Sequence, residues 1–152
     1  MTEINMSQAE ADALIAMHKH RVDDTEWIFP QPGGRIIVPL VSEDKRESFT
    51  LDVSRVRIVL SKATYQNRAR QVILLMRLDL GGAPHRNPDG EKRVCPHLHV
   101  YREGFGDKWA MPVPVQTYPK PHDLLATLGA FMHHCNIVEP PPIIEETQGE
   151  LF

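Results

Sequence analysis

Apolar residues recur at helical spacing near both ends of the chain. Ser7 and Glu10 fit the S-x-x-E capping box, and the apolar residues that follow them predict a helix over 8–20. A second helix is predicted to open at Asp123, because buried-type residues again follow at intervals of three and four positions. Its apolar stripe consists of Leu124, Leu128, Phe131 and Cys135.

Between these helices the polarity pattern is that of β-strands. Alternating or continuous apolar residues predict strands at 35–41, 49–53, 56–60, 72–80, 97–101 and 109–115. The pattern shifts by one residue at Ser54, which indicates a turn or a bulge. The segment 61–69 is polar and irregular, so no strand is predicted there. We therefore predict an α+β protein, an antiparallel β-meander of about five to six strands with an N-terminal and a C-terminal helix packed on one face.

The length and composition fit one globular domain. The chain has 152 residues, of which 41% are hydrophobic and 24% are charged. We place the domain at 1–138 and an acidic, proline-rich tail, extended or disordered, at 139–152. No basic leader and no apolar run of membrane-spanning length occurs, and the two cysteines fit no zinc-finger spacing. These features predict a cytoplasmic protein with free thiols and no membrane association.

Side-chain alternation divides the predicted strands into a core face and an opposite, open face. In the strand over 72–80 the apolar residues at even positions form the core face, which leaves Arg77 and Asp79 on the other side. The strand over 97–101 likewise turns its apolar residues to the core. If these strands are neighbours, the open face collects Arg57, Arg77, Asp79, His97, His99 and Tyr101.

The segment 54–78 is basic, although the whole chain has a net charge of -3. It contains no acidic residue, and its six basic residues are Arg55, Arg57, Lys62, Arg68, Arg70 and Arg77. Such a stretch favours a polyanion such as RNA, or an acidic protein, as partner. Contacts to a nucleic acid are predicted from Arg55, Arg57, Lys62, Arg68, Arg70 and Arg102. The alternative is a solvated sheet edge that carries charge to prevent aggregation.

The open face carries the residue types that cleave phosphodiesters without a metal. The candidate catalytic residues are His97, His99, Arg77, Asp79 and Tyr101. The two histidines would be the acid–base pair, and Arg77 and Arg102 would stabilise the charge on the phosphoryl oxygens. Asp79 would orient a histidine, and Tyr101 would support the site. No cofactor is expected for this chemistry. The alternative is that Arg77 and Asp79 form a structural ion pair.

Metal and cysteine chemistry are the other candidates for these residues. His97 and His99 form an H-x-H pair on a strand that could bind zinc or iron, with a third ligand from His85, Asp79, Glu103 or His122. The alternative is surface histidines bonded to neighbouring backbone. A nucleophilic cysteine is disfavoured, because Cys135 lies on a buried helix stripe and Cys95 at the start of a strand. The glycines match neither of the common phosphate-binding loops.

Two blocks of sequence carry a resemblance to known proteins. They are PHLHVYREGFGDKW at 96–109 and APHRNPDG at 83–90. Together with Arg77-Leu78-Asp79, they resemble a family of small bacterial and prophage-associated proteins of unknown function. The chain is also similar to TumE-type toxins of toxin–antitoxin modules. The matching residues are Arg77, Asp79, Pro84, His85, His97, His99 and Asp123 to Leu125.

The resemblance to TumE-type toxins implies an RNA-directed protein with a cognate antitoxin as partner. The chain departs from that pattern in its long N-terminal portion and its acidic tail. The leading hypothesis is thus a nucleic-acid-directed protein, a toxin-like, metal-independent ribonuclease. The alternatives are a non-enzymatic phage or prophage inhibitor that binds a partner through its basic face, and a metal-dependent hydrolase built on His85, His97 and His99.

Overall fold

The computed structural model describes residues 5–146 as two helices and twelve strands. The helices are α1 (Gln8–Ala16) and α2 (Leu124–His134). The longer strands are β3 (Arg35–Ser42), β4 (Ser48–Arg55), β5 (Ala63–Ala69), β6 (Ile73–Leu80) and β9 (His97–Val100). The shorter ones are β1 (Lys19–Arg21), β2 (Trp27–Ile28), β7 (His85–Arg86), β8 (Lys92–Arg93), β10 (Ala110–Pro112), β11 (Ile137–Glu139) and β12 (Ile143–Ile144).

One large sheet organises the molecule. Its eight strands run in the order β10-β9-β6-β5-β4-β3-β1-β11, and all neighbours are antiparallel except β1 and β11. Two small sheets pair β12 with β2 and β7 with β8. The mixed class and the mostly antiparallel sheet are confirmed. The strand number of five to six is wrong, because β1 and β11 at one edge and the central strand β5 were not predicted.

Helix α1 is shorter than its sequence pattern predicts. The Ser7 side chain accepts a hydrogen bond from the Glu10 amide, as the capping box requires. The helix ends at Ala16 instead of continuing to His20, so that part of the prediction is wrong. The reason is that residues 19–21 extend and pair with both β3 and β11, which satisfies their backbone groups inside the sheet. Helix α2 begins after Asp123, as predicted, and the Asp123 side chain accepts a hydrogen bond from the Ala126 amide.

The region between β4 and β6 differs most from its prediction. Residues 56–60 are a loop, and Ile58 is 90% exposed, so the strand predicted there is wrong. The polar segment that follows forms β5, a central strand of the sheet. Its core-facing polar groups are satisfied, since the Tyr65 hydroxyl donates to the Leu124 carbonyl at 2.7 Å and Asn67 Nδ2 donates to the Thr50 carbonyl at 3.1 Å. Because its polar side chains are hydrogen-bonded in the core, the polar sequence of this segment gave no sign of a buried strand.

Strand β6 contains a bulge that decides which side chains face the core. Asn67 pairs with Met76 and Arg68 pairs with Leu74, so Leu75 is the extra residue. Residues 73 and 75 are buried before the bulge, and 76, 78 and 80 are buried after it. The predicted alternation is confirmed only from Met76 onward. That second part is the one that turns Arg77 and Asp79 away from the core.

The described part of the predicted tail is extended. The Trp27 amide donates to the Pro142 carbonyl at 2.8 Å, and the Phe29 amide donates to the Ile144 carbonyl at 2.7 Å. These bonds hold β12 against β2. The rest of the predicted tail, 147–152, lies outside the described residues. Within 5–146, no helix has both the length and the apolar character needed to cross a membrane.

Candidate functional site

Cross-strand pairing brings four of the candidate residues together. On the adjacent strands β6 and β9, Arg77 pairs with His99 and Asp79 pairs with His97. Leu78 pairs with Leu98 between them, and both leucines belong to the core. The other four side chains therefore lie on the opposite face of the sheet. We call Arg77, Asp79, His97 and His99 the polar cluster.

The Asp79 carboxylate is the centre of the polar cluster. Its Oδ2 lies 3.0 Å from His97 Nε2, 3.2 Å from His99 Nε2 and 3.2 Å from Arg77 Nη2. Its Oδ1 accepts a hydrogen bond of 3.2 Å from the Thr64 hydroxyl on β5. Although burial acts to raise it, the charge of the Arg77 guanidinium holds the pKa of Asp79 well below its usual range. The carboxylate is thus ionised and can only accept protons in hydrogen bonds.

The His99 ring is fixed by what its Nδ1 touches. Nδ1 lies 2.7 Å from the Asp107 carbonyl oxygen, which accepts hydrogen bonds only, so Nδ1 carries the proton. In the neutral ring Nε2 is then a lone pair, and it accepts a hydrogen bond of 3.0 Å from Arg77 Nη2. His99 Nε2 is therefore a base held beside a cation.

The His97 ring is oriented in the opposite sense. Its Nε2 donates to the ionised Asp79, so Nε2 carries the proton and Nδ1 is the lone pair. Nδ1 faces Cys95 Sγ at 3.5 Å. Burial lowers the pKa of His97 below its ordinary value, although the charge of Asp79 acts against this shift. The two neighbouring histidines thus present Nε2 atoms of opposite character, one protonated and one not.

Arg77 joins the polar cluster to the loop that follows β9. Its Nη1 donates to Asp107 Oδ2 at 2.8 Å, while Nε and Nη2 both reach Asp79 Oδ2 at 3.2 Å. The guanidinium therefore bridges two carboxylates. Asp107 was not among the predicted site residues, because only the loop conformation brings it back to β6.

Both histidines are buried, contrary to the open face that alternation predicts. His97 is 2% exposed and His99 is fully buried. The half-buried His85 packs over them, its ring centroid 4.6 Å from that of His99 and 5.9 Å from that of His97. Asn87 fastens this covering segment to β10 through two hydrogen bonds with the backbone of Ala110. Strand alternation predicted which side chains share a face, but it did not predict the hairpin of β7 and β8 that covers them.

Two residues predicted for the open face lie elsewhere. The Tyr101 hydroxyl donates to the Met6 carbonyl at 2.7 Å and accepts from the Met6 amide at 3.0 Å, and the ring is in the core. Tyr101 follows the end of β9 and bonds to Leu75 at the bulge, so the alternation of the strand does not extend to it. Arg57 lies in the exposed loop at 56–60.

The basic stretch finds acidic partners from other parts of the chain. Arg68 pairs with Asp52 at 2.7 Å, and Arg70 pairs with Glu47 at 2.8 Å. Arg102 stacks on the Trp109 ring at 4.3 Å. Arg55 donates to the carbonyl oxygens of residues 30 and 60. Arg57 is exposed and Lys62 is half-buried. The positive charge counted along the sequence is therefore partly neutralised in the fold.

The polar cluster contains a possible metal-binding set, in which the third ligand is Asp79 instead of His85. Asp79, His97 and His99 each offer a ligand atom, and these atoms lie within 4.8 Å of one another. His85, which the sequence suggested as third ligand, instead places its Nε2 2.7 Å from the Lys108 carbonyl oxygen. Cys95 was not a predicted site residue, yet it is partly exposed and contacts His97. The two residues are close in the sequence, and this short spacing could have predicted the contact.

Comparison with known proteins identifies a family whose function is unknown. No curated protein and no solved structure matches the chain. Residues 6–137 match DUF6978, a family of unknown function. Since this match covers most of the 152 residues, the protein belongs to that family.

Proposed function

We propose that this protein cleaves RNA at the polar cluster by acid–base catalysis without a metal cofactor. The observation that carries the proposal is that acceptor oxygens contact opposite ring nitrogens of two adjacent histidines, the Asp107 carbonyl at His99 Nδ1 and the Asp79 carboxylate at His97 Nε2. This arrangement suits His99 Nε2 as a base and His97 Nε2 as an acid. Cleavage by the 2′-hydroxyl of the RNA itself needs such a pair, since one group must remove a proton while the other supplies one.

In the proposed reaction His99 is the base and His97 is the acid. His99 Nε2 takes the proton of the 2′-hydroxyl, whose oxygen attacks the adjacent phosphorus. The bond from phosphorus to the 5′-oxygen breaks, and that oxygen receives the Nε2 proton of a His97 that has first taken up a second proton at Nδ1, so the ring ends the step neutral. The products are a 2′,3′-cyclic phosphate and a 5′-hydroxyl. Asp79 holds both rings and stabilises the positive charge that forms on His99.

Arg77 is the phosphate-binding residue in this proposal. Its guanidinium already contacts His99 Nε2 at 3.0 Å, and Nη1 contacts the partly exposed Asp107. A phosphate can replace the Asp107 carboxylate on that nitrogen, because both are anionic acceptors. The bound phosphate would then lie beside the base. Substrate entry requires the His85 ring, which covers both histidines, to turn aside.

The test compares purified variants on a fluorogenic single-stranded RNA in the presence of a metal chelator. Wild type is expected to cleave, and His99→Ala and Arg77→Ala are each expected to lose about two orders of magnitude or more in rate. His122→Ala, outside the polar cluster, is the matched control and should retain the wild-type rate. Equal rates for wild type and His99→Ala would contradict the proposal.

A second candidate function rests on the exposed loop at 56–60. Ile58 is 90% exposed and Leu60 is 66% exposed, beside the cationic Arg57 and Lys62. A surface of this kind suits a partner-binding protein whose target is apolar and acidic. Expression in a bacterial host separates the two functions. Growth arrest that His99→Ala abolishes supports cleavage, whereas arrest that only Ile58→Asp abolishes supports binding.

A further inference from the structure

Three side chains of the polar cluster have the spacing of metal ligands. Asp79 Oδ2 lies 3.0 Å from His97 Nε2 and 3.2 Å from His99 Nε2. In a tetrahedral zinc site with bonds of about 2.0–2.1 Å, neighbouring ligand atoms lie about 3.3–3.4 Å apart. The observed separations differ from this by only a few tenths of an ångström. Small side-chain adjustments would therefore complete a three-ligand set.

The His99 ring is already oriented as metal-binding histidines are. Its Nδ1 donates to the Asp107 carbonyl, which leaves the Nε2 lone pair directed at the cluster. A hydrogen bond from the second ring nitrogen to a carbonyl is the usual support of a ligating histidine. His97 must move its proton from Nε2 to Nδ1, which faces Cys95 Sγ at 3.5 Å.

Arg77 holds the place that a metal ion would take. Its Nη2 lies 3.0 Å from His99 Nε2 and 3.2 Å from Asp79 Oδ2, so it touches two of the three ligand atoms. It is partly exposed and has a second partner, Asp107 Oδ2 at 2.8 Å. The guanidinium can therefore withdraw toward Asp107 without losing all its charge compensation.

We propose that Asp79, His97 and His99 bind one divalent transition-metal ion of the zinc type, and that the ion displaces the Arg77 guanidinium. The donor set of two imidazoles and one carboxylate suits zinc and similar ions better than magnesium or calcium, which prefer oxygen ligands. If the proposed RNA cleavage is correct, the bound ion inhibits it, because it occupies the nitrogens of both the acid and the base. Only this last consequence rests on the proposed function.

The chain provides its own control in a second group of histidines and carboxylates. At the far edge of the sheet, His18 Nδ1 lies 3.3 Å and His20 Nε2 lies 3.6 Å from Glu43 Oε1. This group is more exposed than the polar cluster, and within the described residues only Asp79, His97 and His99 meet the spacing of a metal set. Replacement of His18 therefore tests for nonspecific binding by surface histidines.

The experiment titrates the metal-free protein with zinc chloride. Binding is measured by calorimetry and by the shift in melting temperature. Wild type should bind one equivalent, and Asp79→Asn and His99→Ala should each weaken binding by about tenfold or more. Arg77→Met removes the competing cation and should bind at least about tenfold more tightly than wild type. His18→Ala should match wild type.

Several results would overturn the proposal. They are no binding by wild type, an Arg77→Met affinity no higher than that of wild type, or equal losses in His18→Ala and His99→Ala. Circular dichroism of each metal-free variant shows whether it folds, and His97→Gln replaces any variant that does not. The zinc titration contains no RNA, so its result does not depend on whether the protein cleaves RNA. Conversely, a failure to bind zinc would leave the cleavage proposal standing.

Discussion

Arg77 and His99 face each other on adjacent strands, and the guanidinium donates to the unprotonated Nε2 of the imidazole across 3.0 Å. A largely buried guanidinium is unfavourable unless an anion compensates its charge. Asp79 supplies that anion, and Asp107 supplies a second one. The charge balance of the polar cluster and its candidate acid–base chemistry therefore depend on the same pair of residues.

Asp79→Asn should destabilise the protein, because the remaining amide cannot balance Arg77 at a largely buried position. We expect the free energy of unfolding to fall by about 2–3 kcal/mol, less than for a fully buried pair since Asp79 is partly exposed. Asp107→Asn is the matched control, and its more exposed carboxylate should cost about 1 kcal/mol or less. Urea unfolding measures both values. Equal losses in the two variants would show that Asp79 is not the centre of the network.

Lys19 should make stability depend on pH in an unusual direction. Its Nζ is buried and donates to the carbonyl oxygens of Ile15, Met17 and Cys135 at 3.0, 3.0 and 2.7 Å. Burial lowers the pKa of Lys19 to about 8, although the neighbouring Cys135 acts against this. The unfolded chain, with an ordinary lysine pKa, then binds more protons above this value, so stability from this group rises with pH.

The measurement for Lys19 is the difference in unfolding free energy between wild type and Lys19→Met. We expect this difference to shift in favour of wild type by about 2 kcal/mol between about pH 7 and about pH 10. Other titrating groups are common to both proteins and largely cancel. A difference that stays constant or moves against wild type would contradict the lowered pKa.

The two cysteines should differ in reactivity. Cys135 is 1% exposed, and burial raises its pKa to about 12, which leaves almost no thiolate at neutral pH. Cys95 is partly exposed, and His97 Nδ1 at 3.5 Å can accept its proton. Iodoacetamide should therefore label only Cys95 in the native protein, and both residues after unfolding. Mass spectrometry of the alkylated peptides decides this, and comparable native labelling of Cys135 would be inconsistent with its burial.

Strand β5 should contribute to stability in a way that the exposed loop does not. Tyr65→Phe removes the 2.7 Å hydrogen bond to the Leu124 carbonyl, which should cost about 1 kcal/mol. Ile58→Asp, in the loop at 56–60, should change stability by no more than about 0.5 kcal/mol. Urea unfolding of the two variants measures this contrast. A larger loss of stability from Ile58→Asp than from Tyr65→Phe would instead support the strand that the sequence predicted at 56–60.

That contrast explains why part of the fold was predictable and part was not. Alternation identified β3, β4, β6 and β9, because their core-facing residues are mostly apolar. It failed for β5, where Tyr65 and Asn67 face the core and satisfy their polar atoms through long-range hydrogen bonds. Local polarity carries no information about such partners.

The same distinction applies to the candidate site. Arg77, Asp79, His97 and His99 could be assembled from strand faces alone, since the bulge in β6 precedes Met76. Asp107 and the cover formed by His85 depend on loop conformations. The salt bridges that neutralise the basic stretch join residues far apart in the sequence. The side-chain faces of a strand follow from its two-residue period, but the conformation of a loop does not.

The most direct test of the central claim, that the polar cluster cleaves RNA through the 2′-hydroxyl, uses one pair of substrates. An RNA oligonucleotide is compared with the same oligonucleotide bearing a single 2′-deoxy substitution at the mapped cleavage position, with a metal chelator present. The expected result is cleavage of the RNA to a 2′,3′-cyclic phosphate and no cleavage at the substituted position. Cleavage of both substrates at the same rate would contradict the claim.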